Sequence, residues 1–589
     1  MGVKGLWWFL KKLVLDEGDD NKVFHSFDLV KEASQHPDGL TLIVDFYPFE
    51  YWIMNQVHND YFNEQCDKNP WLTISGGEYS CFGDYLVDLV KVFNKCGIKM
   101  VVVCSAGRCT SANQMEFKYA RWLQTDIRDM KKVHDVLATL EDSDQYICKP
   151  NKESKSPTLL PLELTERLRL SGCEVLCCLD GEADPFIAQL YHERKAFAIL
   201  SNDSDFLLFE NCRYINLDES FDVDGVLGQF MRKNEFESGK LPSLSVKAVD
   251  SKDVYSILEL PNLDAACDLS FILGNDVSKQ FPDLYKHLSL FRFSIRGVIS
   301  RLKKFGPLEK NPLFTKQALS DPNIREAHRM THELYKIKAP LQGDDNPVNK
   351  AICDAVLHCE FAGNCLAISR GFYWQDAKIV ETNDSISSLY SAESACLPIR
   401  LVLYKMLLSN SEKAEVIEFR PVKTAQLTEK MTISIKQAVE NNPALASLPR
   451  IDQVREMPLA KRMQLFDHIV NKCCFETDIE KMDEDNQVKI YEQFKWPMAF
   501  RVYLCRLTWL LNCEHSNLRL SRSEMESVLA SVLAMQDPEN AHIGIEAPVK
   551  PTRRSLTVGS FLQVCQIFAP LFLKRIRILQ FFAPVLLLI

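Results

Sequence analysis

The sequence is short of the features that place a chain in a special class. Its 589 residues include 20 cysteines, yet none form a C-x-x-C pair and no Cys/His set has zinc-finger spacing. Cys104, Cys177, Cys178 and Cys267 lie inside apolar runs, the pattern of reduced, buried thiols rather than a disulfide framework. No interior stretch of 18 apolar residues is present, so no bilayer-spanning helix is expected. The opening segment has a short apolar stretch before Lys11 and Lys12, not the charged-then-apolar order of a secretory signal. Leu6 stands where a myristoylation motif requires Ser or Thr. A nuclear or cytosolic protein, not a secreted one, is therefore expected. Internal repeats and long low-complexity blocks are also missing. With 46% hydrophobic and 25% charged residues, there is ample apolar surface for packed cores. Positive charge is not in excess either: Lys plus Arg number 69 against 79 Asp plus Glu, a net of -10. That excludes a broadly basic protein that coats nucleic acid by neutralising phosphates. Where the acids sit becomes the informative question.

What is present first is an alternation of strand and helix. Apolar runs at 40–44, 99–104, 174–179 and 196–200, with a weaker one at 214–217, read as buried parallel strands. Helical patterns fall between them at 49–56, 82–93, 117–140, 162–170 and 185–194. This order predicts an α/β layer fold with a mostly parallel sheet. After about residue 225 the strand signals fade and helical patterns dominate. The expected organisation is an α/β domain over 1–290, a largely α-helical region over 291–535, and a linker with an apolar tail over 536–589. The tail residues 578–589 are almost wholly apolar but too few to cross a bilayer, so no membrane partner is expected.

Open α/β sheets bind ligands outside the carboxyl ends of their strands. Just past the expected strand ends lie Asp45, then Glu182 and Asp184, then Asp203 and Asp205; Asp276 follows the helical pattern Leu263–Leu273. Singly, each has an ordinary alternative. Asp184 precedes Pro185 and would suit a helix N-cap, Asp203 and Asp205 would suit a turn, and Asp276 an exposed site after Gly274. Six carboxylates converging on one sheet edge would repel and raise one another's pKa unless cations neutralise them. Hard oxygen donors at this density suit Mg²⁺ or Mn²⁺, as in two-metal phosphodiester hydrolysis.

Together these residues carry a resemblance. Met1-Gly2-Val3-Lys4-Gly5-Leu6, Ile43-Val44-Asp45, Glu182-Ala183-Asp184, Asp203-Ser204-Asp205 and Leu273-Gly274-Asn275-Asp276 resemble the XPG/flap endonuclease superfamily with its PIN-like domain. Within it, Leu200-Ser201-Asn202-Asp203-Ser204-Asp205-Phe206, Leu397-Pro398-Ile399-Arg400 and Trp496-Pro497-Met498-Ala499 are similar to the protein asteroid family. The resemblance implies a metal-dependent, structure-specific nuclease for DNA with single-stranded or overhang character, with a role in DNA repair. It implies two Mg²⁺ or Mn²⁺ ions, Asp45, Glu182 and Asp184 serving the first, and Asp203, Asp205 and Asp276 the second. It also implies that Lys118 and Arg121, on a helix over the sheet edge, hold the scissile phosphate. Tyr51 would stack on a base, and the amine of Gly2 would lie near the substrate. The neighbouring Asp126 and Asp129 leave an ordinary charged helix face as the alternative for the two basic residues, and a core aromatic is the alternative for Tyr51. Trp7 and Trp8 read as packing residues.

Two departures from the superfamily stand out. Its nucleases carry a further Asp at the end of the second strand, where Ser105 stands here, so the first metal site is expected to be weakened. The Gly-x-Gly helix-turn-helix that grips duplex DNA is missing after Asp276. Residues 279–310 instead hold eight Lys/Arg against two acids, a net of +6. Phe291, Ile295, Val298, Leu302 and Phe305 recur at helical spacing, which places Arg292, Arg296 and Lys303 on a neighbouring face suited to phosphates or simply to solvent. Ser105 favours the alternative function, a catalytically degenerate PIN-like scaffold binding nucleic acid or a signalling or transcription partner. The helical half would support the nuclease domain or dock a protein partner.

Overall fold

The computed structural model describes residues 2–17, 23–57, 79–105, 119, 160–179, 182–221, 243–275, 277–278, 294–310, 321–337, 347–359, 363–374, 397–408, 415–421, 428–458, 461, 465 and 469. The chain divides into two compact units, one of residues 1–56, 84–107 and 164–342, the other of 57–83, 108–163 and 343–589. Among the described residues no helix is long and apolar enough to cross a membrane.

The first unit is a mixed α/β fold on a seven-stranded sheet. Its strands in chain order are β1 (Phe24–Asp28), β2 (Leu40–Asp45), β3 (Ile98–Ser105), β4 (Glu174–Cys178), β5 (Ala198–Ser201), β6 (Arg213–Asn216) and β7 (Ser245–Asp250). In space they run β1-β7-β6-β5-β2-β3-β4, with β2 to β6 parallel and β1 and β7 antiparallel at one edge. The five strands legible as apolar runs all form. They form because both faces are covered: Leu42, Ile43, Val44, Val102, Val103, Ala198, Ile199 and Leu200 are fully buried. The edge pair was not anticipated. Phe24-His25-Ser26-Phe27-Asp28 and Ser245-Val246-Lys247-Ala248-Val249-Asp250 mix apolar with polar residues and carry no continuous apolar run.

The helices of this part of the chain are α1 (Leu6–Glu17), α2 (Leu29–Ser34), α3 (Phe46–Val57), α4 (Tyr79–Lys95), α5 (Leu160–Leu170), α6 (Ala183–Glu193), α7 (Leu217–Ser220), α8 (Ser251–Ile257), α9 (Leu263–Leu273), α10 (Ile295–Phe305) and α11 (Pro322–Leu334). The helix expected over 117–140 lies outside the described residues except for Tyr119. The order of the parallel strands, β4-β3-β2-β5-β6, makes β2/β5 the point where successive connections change direction. Crevices form at such switch points, at the carboxyl ends of the strands.

The second unit contains α12 (Pro347–Leu357), α13 (Gly363–Ser369), α14 (Leu397–Leu407), α15 (Ile435–Asn441) and α16 (Ile451–Glu456). It also contains a three-stranded sheet, β10 (Thr428–Ser434), β9 (Glu415–Pro421) and β8 (Phe372–Trp374), in the region expected to be largely helical. The cause is a buried charge at the centre of β9, which interrupts the apolar pattern. Glu418 accepts from Arg400 Nε at 3.1 Å, from Arg400 Nη2 at 3.2 Å and from the Tyr404 hydroxyl at 2.7 Å. The Arg400 of the Leu-Pro-Ile-Arg segment is therefore a core anchor. A bidentate, fully hydrogen-bonded pair is the form in which such burial is tolerated.

The start of β2 depends on Gly39. Its φ is +77°, its N–H donates to His36 O at 3.0 Å, and an added Cβ would collide with the carbonyl oxygen of Gly97. That same oxygen accepts from Leu40 N at 2.8 Å and sets the register of β2 against β3. Gly39→Ala is expected to cost about 2–5 kcal/mol in chemical denaturation, the sum of left-handed strain and overpacking. Gly97→Ala, with φ +72° but only an Ala33 Cβ contact at 3.7 Å, should cost the smaller strain part alone. Equal losses for the two would contradict this account.

Candidate metal centre

β2 ends at Asp45 and β5 at Ser201, on adjacent parallel strands whose last paired residues are Val44 and Leu200. The Ser201 hydroxyl donates to Asp45 Oδ2 at 2.8 Å and accepts from Asp203 N at 3.0 Å. Asp203 opens a single 3₁₀ turn, Ser204–Leu207, and its Oδ1 accepts from Asp205 N at 3.0 Å. The turn reading of Asp203 is thus correct as local structure, and the same turn presents both acids at the crevice. Asp184 is not an N-cap. Glu182 occupies that position and makes no side-chain cap bond, which leaves Asp184 inside the first turn of α6. A carboxylate there faces the positive end of the helix dipole.

Asp184, Asp203 and Asp205 each bring a carboxylate oxygen within 4.8 Å of the others. Asp45, Asp203 and Asp205 are buried, and Asp184 is partly so. Desolvation and then the Asp203 charge raise the Asp45 carboxyl to about 7, against the hydrogen bond from Ser201. Asp184 is pushed well above the usual carboxylate range by desolvation, then by Asp203, Asp45, Asp205 and Glu182. These five expected residues thus act as one electrostatic group. Asp276, the sixth, lies outside the described residues. The donor set is all hard oxygen and carries excess negative charge, which fits divalent Mg²⁺ or Mn²⁺.

Two sets of contacts had no role assigned from sequence. The Tyr335 hydroxyl, just past α11, donates to Asp205 Oδ1 at 2.7 Å, and burial holds its own proton on. No local pattern marks a tyrosine 130 residues away. The opening residues strap the centre. The Ser204 hydroxyl donates to Val3 O at 3.2 Å and Lys4 N to Gly274 O at 3.0 Å. Gly2, at φ +79°, packs so closely that a Cβ would strike Asp203 Oδ1 and Ser204 N. Gly2 therefore lies against Asp203 and Ser204 through its backbone.

The Asn275 of the Leu-Gly-Asn-Asp segment is a buried staple. It donates to Ser270 Oγ at 3.1 Å and Thr331 Oγ1 at 3.2 Å, and accepts from Val277 N at 3.0 Å and Ser278 N at 2.8 Å. Ser105 ends β3 in register with Cys178, and Tyr47 OH reaches its carbonyl oxygen at 3.5 Å. Tyr51 is exposed on α3, one turn after the exposed Tyr47. A core role for Tyr51 is thereby excluded. Of the basic residues, Lys118, Arg121 and Arg292 lie outside the described residues. Arg296 is exposed on α10, while Lys303 pairs with Glu259 at 2.7 Å. The buried stripe of α10 is Val298, Ile299 and Leu302; Phe305, expected to be buried, is exposed.

No family model matches the chain. Over 192 residues it is 22% identical to the constitutive coactivator of peroxisome proliferator-activated receptor gamma from Bos taurus. That stretch is 32% of this chain and 24% of the relative, so the match spans about a quarter of the relative's length. Among solved structures, the catalytic core of Rad2 (complex I) aligns at a TM-score of 0.25 and 14% identity, over 61% of this chain and 84% of that one.

The raised carboxyls give the metal-free fold a defined pH response. Folded Asp45 keeps its proton up to about 7 and releases it near its ordinary 3.8 when unfolded. The native state thus binds the extra proton between those values, and stability falls as pH rises through that window. In chelator at about pH 8, Asp45→Asn should therefore raise the unfolding midpoint and flatten the acid-side slope. A lower midpoint for the variant under those conditions would refute the crowding of charge described here.

Proposed function

We propose that the first unit is a metal-dependent, structure-specific nuclease of the XPG/flap-endonuclease type, similar in pattern to the asteroid group. Its substrate would be DNA with single-stranded or overhang character, and its setting DNA repair. The observation that carries this reading is the convergence of Asp184, Asp203 and Asp205, coupled to Asp45, at the switch point of a parallel sheet. Asp45, Glu182 and Asp184 would hold one ion, and Asp203, Asp205 and Asp276 the other. Asp184 joins the two sets through its reach to Asp203 and Asp205. Bound there, two Mg²⁺ or Mn²⁺ would supply an activated water and the charge neutralisation needed for in-line displacement at phosphorus. Tyr335 would fix the orientation of the Asp205 carboxylate. Tyr51 and Tyr47 would offer faces to unstacked bases, and Arg296 a phosphate contact. Lys303 would have to leave Glu259 to do the same.

Ser105 favours a second reading, a PIN-like scaffold without catalysis that binds nucleic acid or a signalling or transcription partner. The coactivator role in the relative's name fits that reading. One assay separates them: labelled single-stranded, overhang and flap DNA with the full chain, with and without Mn²⁺. Metal-dependent cleavage that is abolished in the Asp203→Asn/Asp205→Asn double variant is expected. Cleavage that survives the double variant would overturn the mechanism. A silent wild type with an active Ser105→Asp variant would establish the scaffold reading as a decayed centre.

Tyr335→Phe removes one hydroxyl and leaves the ring in place. It should raise the Mn²⁺ concentration needed for half-maximal cleavage by about 10–100-fold, the usual effect of losing a residue that orients a metal ligand. An unchanged requirement would remove Tyr335 from the centre.

A further inference from the structure

A second cluster in the first unit has different chemistry. α9 presents Asp264 and Asp268 one turn apart, and α11 presents His328 and His332 one turn apart. His328 Nε2 lies 2.7 Å from Asp268 Oδ1, His332 Nε2 lies 3.1 Å from the same oxygen, and the two Nε2 atoms are 3.2 Å apart. Two imidazole nitrogens and one carboxylate oxygen therefore point at one another. If both nitrogens carried protons for Asp268, their N–H groups would face each other at that 3.2 Å separation. A single cation on the three lone pairs removes the conflict. With Zn–N and Zn–O bonds near 2.0–2.1 Å, the edges of a tetrahedron are about 3.3 Å, close to the 3.1 and 3.2 Å spacings, while the 2.7 Å His328–Asp268 spacing would open on binding.

The surroundings are those of a metal ligand set. Asp268 Oδ2 is held by Leu308 N at 2.9 Å, which turns Oδ1 toward the histidines. His332 Nδ1 lies 3.3 Å from Asp264 Oδ1, the carboxylate–histidine arrangement that fixes the tautomer with Nε2 free to ligate. Asp268 is buried, whereas both imidazoles are partly open to solvent, which provides an entry path and a fourth position for water. The H-x-x-x-H spacing on one helix face is the one zinc enzymes use for paired histidines.

We propose that Asp268, His328 and His332 form a zinc site, separate from the carboxylate centre, with water as the fourth ligand and Asp264 orienting His332. Nitrogen donors select zinc here, while the all-oxygen centre selects magnesium or manganese. The ion would brace α9 against α11. α9 leads into the Gly274-Asn275 turn, and α11 leads to Tyr335 on Asp205.

The test uses the purified full chain. Dialysed against Zn²⁺ and then freed of loose metal, it should retain one equivalent, and Co²⁺ in its place should give visible d–d absorption. Both signals should persist in the Asp203→Asn/Asp205→Asn variant and vanish in the His328→Gln/His332→Gln variant. In the Asp203→Asn/Asp205→Asn background, which removes zinc binding at the carboxylate centre, added Zn²⁺ should raise the unfolding midpoint only when His328 and His332 are present. X-ray absorption on the zinc-loaded wild type covers the case in which the histidine variant fails to fold: a nitrogen/oxygen shell with imidazole scattering is expected. A sulfur shell, or a folded wild type that retains no zinc, would overturn the proposal and leave a histidine–aspartate ion-pair cluster.

Discussion

Mutual repulsion among buried carboxylates is the constraint around which the first unit is arranged. The strand order places β2 beside β5 where the connections reverse, so Asp45 and the Ser201–Asp205 segment open into one crevice. Each acid then receives a donor or dipole that the fold can supply. Ser201 donates to Asp45, the Asp205 amide to Asp203, Tyr335 to Asp205, and the first turn of α6 faces Asp184. These neutral partners blunt the charge without cancelling it. Asp45 still sits near 7 and Asp184 higher than an ordinary carboxyl, so a residual negative potential remains for cations to offset.

Holding such a centre requires ties from distant parts of the chain. The opening strap joins the Asp203 turn to the Gly274 turn through the Ser204 hydroxyl on Val3 O and the Lys4–Gly274 backbone bond, and α1 anchors it. Trp7 secures that helix by donating to Glu219 Oε2 at 3.0 Å and packing edge-on against Phe24 and Tyr214. Trp8, which shares its apolar character in sequence, is instead exposed. Asn275 couples the end of α9 to Thr331 on α11, one turn before Tyr335. The same two helices carry the histidine–aspartate cluster, so both centres share one structural support.

Legibility in the sequence followed the range of the interactions. The inner strands were readable because burial on both faces writes a continuous apolar run. The acids were readable because parallel strands end at a common edge, which a pattern of strand followed by carboxylate exposes. What was not readable depends on partners far along the chain. The edge strands β1 and β7 draw on pairing rather than on a distinct local pattern, and β9 hides a buried Glu418 whose partner Arg400 is on α14. Tyr335 and the His328/His332 pair likewise look like ordinary helical residues until α11 is laid on α9. Asp184 shows how a local alternative fails: its place before Pro185 suited a cap, but the cap position falls on Glu182, and Asp184 lies beside Asp203 and Asp205.

Ser105 needs to be weighed against the acids that remain. In a metal-free chain every buried carboxylate at this crevice costs stability, and a chain with no use for a cation would gain by neutralising any of them. The costliest are the most buried, Asp205 and Asp203, together with Asp45 and its raised carboxyl. Those are present. Ser105, where the resemblance calls for a further acid, stands at the partly exposed end of β3, two residues beyond the register partner of Asp45. An acid there would add further repulsion to Asp45 in the unloaded state, and a serine avoids it. The serine therefore spares Asp45 a further like charge and favours the stability of the metal-free fold. The more deeply buried charges at Asp203 and Asp205 stay in place, so the repulsion that dominates the crevice is not relieved by the serine.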